Sequence, residues 1–129
     1  MDVDQPLLLI CDDEPPLREL IRVSLGDGYR YREAGTVADS IEAVHAEAPD
    51  LVLLDLMLPG GSGLDVLRVI RGERELAATP VLVVSAWSDE SNRSAAGQAG
   101  ADEFIGKPFA PDQLAARVEE LLEGGRSSR

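Results

Sequence analysis

The sequence predicts an α/β fold: a doubly wound, five-stranded parallel sheet with five helices distributed over both of its faces. Three observations predict it. Short apolar runs of strand length alternate with segments whose apolar residues recur at helical spacing. Three of the runs, "LLLIC", "LVLL" and "VLVV", are continuously apolar, as strands covered on both faces are. The two other strand segments are polar on one face or short, which suits the edges. Doubly wound connectivity then gives the strand order 2-1-3-4-5, with a switch point between strands 1 and 3.

The first strand is "LLLIC" (7–11), after which Leu17, Leu20, Ile21 and Leu25 recur at the spacing of a helix. "YRYREA" (29–34) alternates, and its Arg30 and Arg32 mark a half-buried edge strand. Val37, Ile41, Val44 and Ala48 place the stripe of a second helix. "LVLL" (51–54) is the third strand and runs into a Gly/Pro-rich loop, "LPGGSG". Leu64, Leu67 and Ile70 predict the third helix, and "VLVV" (81–84) the fourth strand. Residues 89–99 predict a fourth helix rich in Ser, Gly and Asn. Both its propensity and its packing are weak, so it is expected to be the mobile element. "EFI" (103–105) is a short fifth strand, and Leu114, Val118, Leu121 and Leu122 mark the last helix. One domain is expected over 1–123, with "GGRSSR" (124–129) as a flexible tail or the start of a linker.

A chain of 129 residues, 44% of them apolar, is long enough for one real core. Its longest apolar runs are far too short to span a bilayer, so no membrane contact is expected. The acidic start "MDVDQP" lacks the basic region of a signal peptide, and the single cysteine, Cys11, excludes an internal disulfide framework. Both fit a reducing, cytoplasmic setting. Cys11 reads as a small buried residue. A formal charge of −12 argues against direct nucleic-acid binding and suggests that some carboxylates hold a cation. Of the 12 Lys and Arg residues, only Lys107 is a lysine.

Ligands of open parallel sheets bind at the carboxyl ends of the strands, beside the switch point. Asp12 and Asp13 follow the first strand, Asp55 the third, Ser85 the fourth and, after Gly106, Lys107 the fifth. Each has an ordinary explanation alone: helix cap, turn residue, strand-end hydroxyl, surface charge. Their convergence at one end of one sheet does not. Two carboxylates about 4–5 Å apart repel by roughly 3–4 kcal/mol at an effective dielectric near 20. Either their pKa values rise or a divalent cation sits among them. Oxygen-only ligands suit Mg²⁺. An ammonium and a hydroxyl beside it make a site fit to handle a phosphoryl group. A compact ammonium also fits a narrow anionic slot better than a planar guanidinium.

With "CDDE", "LVLLDLMLPGGSGLDVL", "PVLVVSAW" and "GADEFIGKPF" in this order, residues 5–122 resemble the receiver domain of two-component response regulators. That resemblance implies a flavodoxin-like fold and a phosphorylation-dependent signalling switch. Asp55 would accept a phosphoryl group from a sensor histidine kinase or a histidine phosphotransfer protein. Asp12, Asp13, Asp55 and the backbone carbonyl of Met57 would hold Mg²⁺. Lys107 would contact the phosphoryl oxygen, Ser85 would hydrogen-bond the attached group, and Phe104 would turn inward as Ser85 moves. The Lys107–Pro108 bond would be cis. The domain would promote its own phosphorylation and dephosphorylation without being an enzyme in the usual sense. The face formed by the fourth helix, fifth strand and fifth helix would shift to control an output domain or partner, and is a candidate homodimer interface. Two positions depart from the common pattern: Ser62 replaces a frequent Asp, and Phe104 a commoner Tyr, without a hydroxyl to bond outward.

Three rival readings fit the sequence less well. A haloacid dehalogenase-like phosphatase wants a second Asp two residues after the nucleophile, where this chain has Met57. A flavodoxin-like electron carrier needs a hydroxyl- and Gly-rich loop after the first strand, where this chain has the acidic "CDDEPP". A receiver-like binding module that is never phosphorylated would not need the intact set of Asp12, Asp13, Asp55, Ser85 and Lys107. Trp87 reads either as an exposed loop aromatic or as a cover that limits water at the site. His45, the one histidine, falls far from the strand ends.

Overall fold

The computed structural model describes residues 5–127. Its elements run β1 (Leu7–Cys11), α1 (Pro15–Leu25), β2 (Arg30–Ala34), α2 (Val37–Ala46), β3 (Leu51–Leu54), α3 (Gly63–Gly72), β4 (Val81–Ser85), α4 (Glu90–Ala99), β5 (Glu103–Gly106) and α5 (Pro111–Ser127). All strand pairs are parallel, in the expected order β2-β1-β3-β4-β5.

The sheet divides the core in two, because successive side chains of a strand point to opposite faces. Leu9, Cys11, Val52, Leu54, Val81 and Val83 face one way, where Val37, Val44, Val66, Leu67, Ile70 and Ala96 of α2, α3 and α4 cover them. Leu8, Ile10, Leu51, Leu53, Leu82 and Val84 face the other way, against Ile21 of α1 and Leu114, Val118 and Leu122 of α5. Each large aliphatic side chain so buried contributes roughly 1.5–3 kcal/mol. Every residue of β1, β3 and β4 is buried, which is why these strands read as unbroken apolar runs.

Two stripe positions differ from expectation. Leu20 is exposed on α1, with Ile21 taking the core position. Ala48 lies beyond α2 and is exposed, and Ser40 and Ala43 join Val37 and Val44 on the buried side. Pro49 is the reason, since it disfavours helical backbone at the residue before it. At the C-terminus, α5 continues without a break past residue 124 to Ser127, so the expected boundary there is not marked by a helix end. Residues 128–129 lie outside the described residues.

Burial pushes the Cys11 thiol up to about 12, with the neighbouring Asp12 charge adding to the effect and a hydrogen bond with Ser40 opposing it. The folded protein should therefore resist a disulfide labelling reagent at pH 8 and react fully once unfolded. Labelling of the folded protein at the rate of a free thiol would contradict the burial of β1.

The helix α4 is anchored unevenly. Ala96 is its only buried residue, and Asp89 at its start makes no side-chain capping bond. At its other end Arg71 of α3 acts as a clamp. Its guanidinium donates to Gly100 O at 3.0 Å, Ala77 O at 3.0 Å, Thr79 O at 2.7 Å and Asp102 Oδ2 at 2.9 Å. Gly100 has φ +111°, and a Cβ there would sit 2.9 Å from the Arg71 side chain, so glycine is required twice over. Amides of α4 should exchange with solvent faster than those of residues 114–122 in α5. Equal protection of the two helices would refute a weakly held α4.

Candidate functional site

Three loops at the carboxyl edge of the sheet build the site. Asp55 directly follows β3, and its N–H donates to Cys11 O at 2.9 Å, which holds the loop after β3 against the end of β1. The Asp12 N–H donates to Ala34 O at 3.0 Å, and the Lys107 N–H to Ser85 O at 3.0 Å. Each side chain of the trio is thus launched from a backbone pinned to the neighbouring strand. Neither aspartate after β1 caps α1: Glu14 occupies that position without a side-chain capping bond, and Pro15 and Pro16 need no N–H partner there. The capping explanation for Asp12 and Asp13 is removed.

The loop after Asp55 is closed by α3. Ser62 caps this helix, accepting from Leu64 N at 3.1 Å, while Asp65 Oδ2 accepts from Ser62 N at 3.0 Å. The serine that departs from the common pattern therefore has a defined structural role. Its signal, Ser followed three residues later by an acid, was present in the sequence. Gly63 packs so closely that a Cβ would lie 2.2 Å from Asp55 O.

Lys107 Nζ donates to Asp12 Oδ2 at 2.7 Å and to Asp55 Oδ2 at 2.8 Å, bridging the first, third and fifth strands. Asp12 and Asp55 are both buried. Each uses its second oxygen on a backbone N–H: Asp12 Oδ1 accepts from Glu14 N at 2.9 Å, and Asp55 Oδ1 from Met57 N at 3.0 Å. Burial pushes the Asp12 carboxyl up, only partly opposed by Lys107 and the Glu14 N–H. For Lys107, burial favours the neutral amine, but hydrogen bonds and charge from Asp12 and Asp55 outweigh it and raise its pKa. One ammonium thus serves two buried carboxylates, leaving an excess of negative charge.

Asp13 completes the set from the exposed side. One carboxylate oxygen from each of Asp12, Asp13 and Asp55 lies within 4.8 Å of the others. Asp13, Glu14, Asp55, Met57, Ala86 and Lys107 line a cleft of about 220 Å³. The donor set is all oxygen, carries more negative charge than Lys107 balances, and opens to solvent. These properties fit a hard divalent cation such as Mg²⁺ that keeps part of its water shell.

The remaining sequence candidates fall around this centre. Ser85 ends β4 fully buried, its Oγ accepting from Trp87 N at 3.2 Å, and the cleft wall at this point is Ala86. Phe104 sits on β5, partly buried against the α2–α3–α4 side of the core. The Arg93 guanidinium of α4 lies 4.6 Å from its ring centroid. Sequence reasoning missed Arg93, since nothing in its spacing marks a contact across 11 positions. Trp87 is half-exposed and does not line the cleft, in keeping with an exposed loop aromatic. His45 pairs with Glu73 at 2.8 Å, away from the site. The Lys107–Pro108 bond is cis.

Comparison with known proteins agrees with this geometry. The sequence profile described as "Response regulator receiver domain" matches residues 8–119. The chain is 38% identical over 123 residues to the DNA-binding response regulator MtrA of Mycolicibacterium smegmatis, covering 95% of this chain and 53% of that protein. It is 41% identical over 116 residues to the KDP operon transcriptional regulatory protein KdpE of Escherichia coli, covering 89% and 50%. Among solved structures, the BeF3-activated DrrB receiver domain superposes with a TM-score of 0.83 at 31% identity, covering 92% of this chain and 98% of that one. The chain spans about half the length of the curated relatives it matches.

Proposed function

The chain belongs to the response regulator receiver domain family of two-component systems, and from that premise we propose that Asp55 accepts a phosphoryl group from a phosphohistidine and thereby switches a partner-binding face. The observation that carries this reading is the bridge from Lys107 Nζ to Asp12 and Asp55 at 2.7 and 2.8 Å. It holds the nucleophile beside a fixed positive charge at the mouth of an acidic cleft.

In the transfer, an Asp55 carboxylate oxygen forms a bond to phosphorus. The bond from phosphorus to the donor imidazole nitrogen breaks, its electron pair returning to that nitrogen. Such transfers ask the protein mainly for positioning and for charge on the equatorial oxygens. Lys107 supplies one such charge. Asp12, Asp13 and Asp55, with the backbone of Met57, would hold Mg²⁺, which when bound neutralises phosphoryl oxygens. Water attack on the resulting acyl phosphate returns Asp55 and ends the signal. Met57 cannot serve as the general acid of a phosphatase, because a thioether carries no transferable proton.

Attachment of the phosphoryl group gives Ser85 and Lys107 a partner they lack beforehand, so the state in which they reach it is favoured. In this reading Ser85 exchanges its bond to Trp87 N for one to the phosphoryl group, and Phe104 moves inward from under Arg93. The change passes to the face of α4, β5 and α5, which would contact an output domain, a downstream protein or a second copy. The relatives' names include DNA-binding and transcriptional regulators. With a formal charge of −12, this domain itself would act through protein contacts. Among the described residues no helix is long and apolar enough to cross a membrane.

The test is incubation with acetyl phosphate and Mg²⁺, followed by mass spectrometry and size-exclusion chromatography. Gain of one phosphoryl group, abolished by a chelator, supports the reading; no gain from this donor or from a phosphorylated kinase overturns it. Mg²⁺ alone should raise thermal stability, by about 2.7 kcal/mol at 100 times its Kd. A melting temperature that does not move over the millimolar range would count against the cation site.

A further inference from the structure

Of the three clustered carboxylates, Asp12 and Asp55 are fixed by Lys107 and by backbone N–H groups, but the Asp13 carboxylate makes no hydrogen bond or ion pair among the described residues. Its direction therefore depends on the backbone that carries it. That backbone is gripped from one side by the Asp12 N–H bond to Ala34 O. On the other side, Arg18 Nη1 donates to the Asp12 carbonyl at 2.6 Å. The same guanidinium donates from Nε to Glu33 Oε1 at 2.7 Å, and Glu33 is also bound by Arg22. The Arg18 side chain is only 19% exposed. Gly35 closes the arrangement: a Cβ there would meet Arg18 Nη1 at 3.4 Å and Asp13 Cα at 3.8 Å. The Asp12 backbone is thus tied at its N–H to the end of β2, and the peptide that joins it to Asp13 is held at its carbonyl by a guanidinium from α1.

We propose that Arg18 is a positioning residue for the cation site: by bridging the Asp12 carbonyl and Glu33, it fixes the Asp12–Asp13 peptide and so aims the otherwise unsupported Asp13 carboxylate into the cleft. The inference rests on the Mg²⁺-dependent reading above. It assigns an ion pair that looks like surface ornament to the affinity of the site. Glu33 matters because it holds the guanidinium in place from the far side and, although shared with Arg22, offsets part of its charge. A planar fork makes both contacts at once. A lysine at 18 would have to reach the carbonyl and the carboxylate from a single nitrogen on a flexible stem, and so would hold the peptide less firmly than the rigid fork.

Isothermal calorimetry with MgCl₂ tests this on wild type, Arg18→Met, Arg18→Lys and Arg30→Met, with thermal melts of each. Arg30 pairs with Glu47 at 2.9 Å and lies at the opposite end of β2 from the site, so its variant controls for loss of a surface ion pair. Outer residues that orient ligands are typically worth tenfold or more in metal affinity. Arg18→Met should weaken Mg²⁺ binding about tenfold, Arg18→Lys should fall between it and wild type, and Arg30→Met should leave the Kd unchanged. An Arg18→Met Kd within twofold of wild type overturns the proposal. So does an Arg30→Met variant that loses as much affinity as Arg18→Met, since the effect would then be general destabilisation. If Arg18→Met does not fold, Arg18→Lys decides: a wild-type Kd in that variant overturns the proposal and a weakened one supports it. Absence of Mg²⁺ binding by wild type itself would overturn the functional reading, and this inference with it.

Discussion

Asp55→Asn should remain folded and gain no phosphoryl group from acetyl phosphate or from a phosphorylated kinase, a complete loss of acceptor function. Two features of the site lead to this result. Asn has nearly the same shape, and removing one of three clustered carboxylates relieves repulsion. Against that relief, an amide cannot accept from both Lys107 Nζ and Met57 N as the two Asp55 oxygens do. One hydrogen bond is exchanged for less charge crowding, so stability should change by about 1 kcal/mol or less. The other carboxylates do not substitute. Asp12 has both oxygens committed, to Lys107 and to the Glu14 N–H. Asp13 is exposed and not bridged by Lys107. Intact mass before and after donor treatment, with a urea melt on the same sample, checks both halves. Phosphoryl gain in the variant would move the acceptor elsewhere.

Gly63→Ala should be the most destabilising glycine-to-alanine change among the described residues. The new Cβ would fall 2.2 Å from Asp55 O, 2.9 Å from Leu56 Cα and 3.0 Å from Asp55 C. All three are backbone atoms, so no side chain can swing away. They belong to the segment that carries Asp55, whose N–H is tied to Cys11 O and whose next carbonyl, of Leu56, accepts from Gly63 N at 2.9 Å. Relief requires moving α3 outward, opening the contacts of Val66, Leu67 and Ile70 with the sheet. Overpacking typically costs about 1–3 kcal/mol and occasionally more. With backbone atoms on every side the cost here should be about 3 kcal/mol or more, a large share of the roughly 5–15 kcal/mol typical of a domain. Gly72→Ala is the matched control: it lies at the end of the same helix, and its Cβ would meet nothing within 4 Å. That variant should be neutral, or more stable by about 0.5–1 kcal/mol. Equal urea midpoints for the two variants would contradict the close approach of α3 to the loop after β3.

Much of the fold was legible because the sheet imposes strong patterns. Strands covered on both faces have no room for polar residues, so "LLLIC", "LVLL" and "VLVV" identified themselves, and the alternation of "YRYREA" marked an edge. The centre of the site was legible for a related reason. In a parallel sheet the residue after each strand must arrive at the same end, so Asp12, Asp55 and Lys107 could be brought together before any coordinate was known. What stayed hidden are the arginines. Arg18, Arg71 and Arg93 act through long, flexible side chains on partners 15, 31 and 11 positions away in sequence. No periodicity encodes such reach, and an Arg on a helix surface looks the same whether it is solvated or grips a carbonyl. Ala48 failed for a local reason that was readable: Pro49 follows it.

The clamp that Arg71 places on Gly100 and Asp102 has a mechanical consequence. It makes the C-terminal end of α4 a fulcrum, while Glu90 at the far end is tethered mainly through Arg93, by its bond to Ser88 O and its stacking on Phe104. A displacement of the Phe104 ring would then swing the helix like a lever, with little travel near Ala99 and the greatest travel near Glu90. A small event beneath β4 would be amplified toward the loop that holds Ser88 and Asp89, and a partner reading this domain would sense it there first.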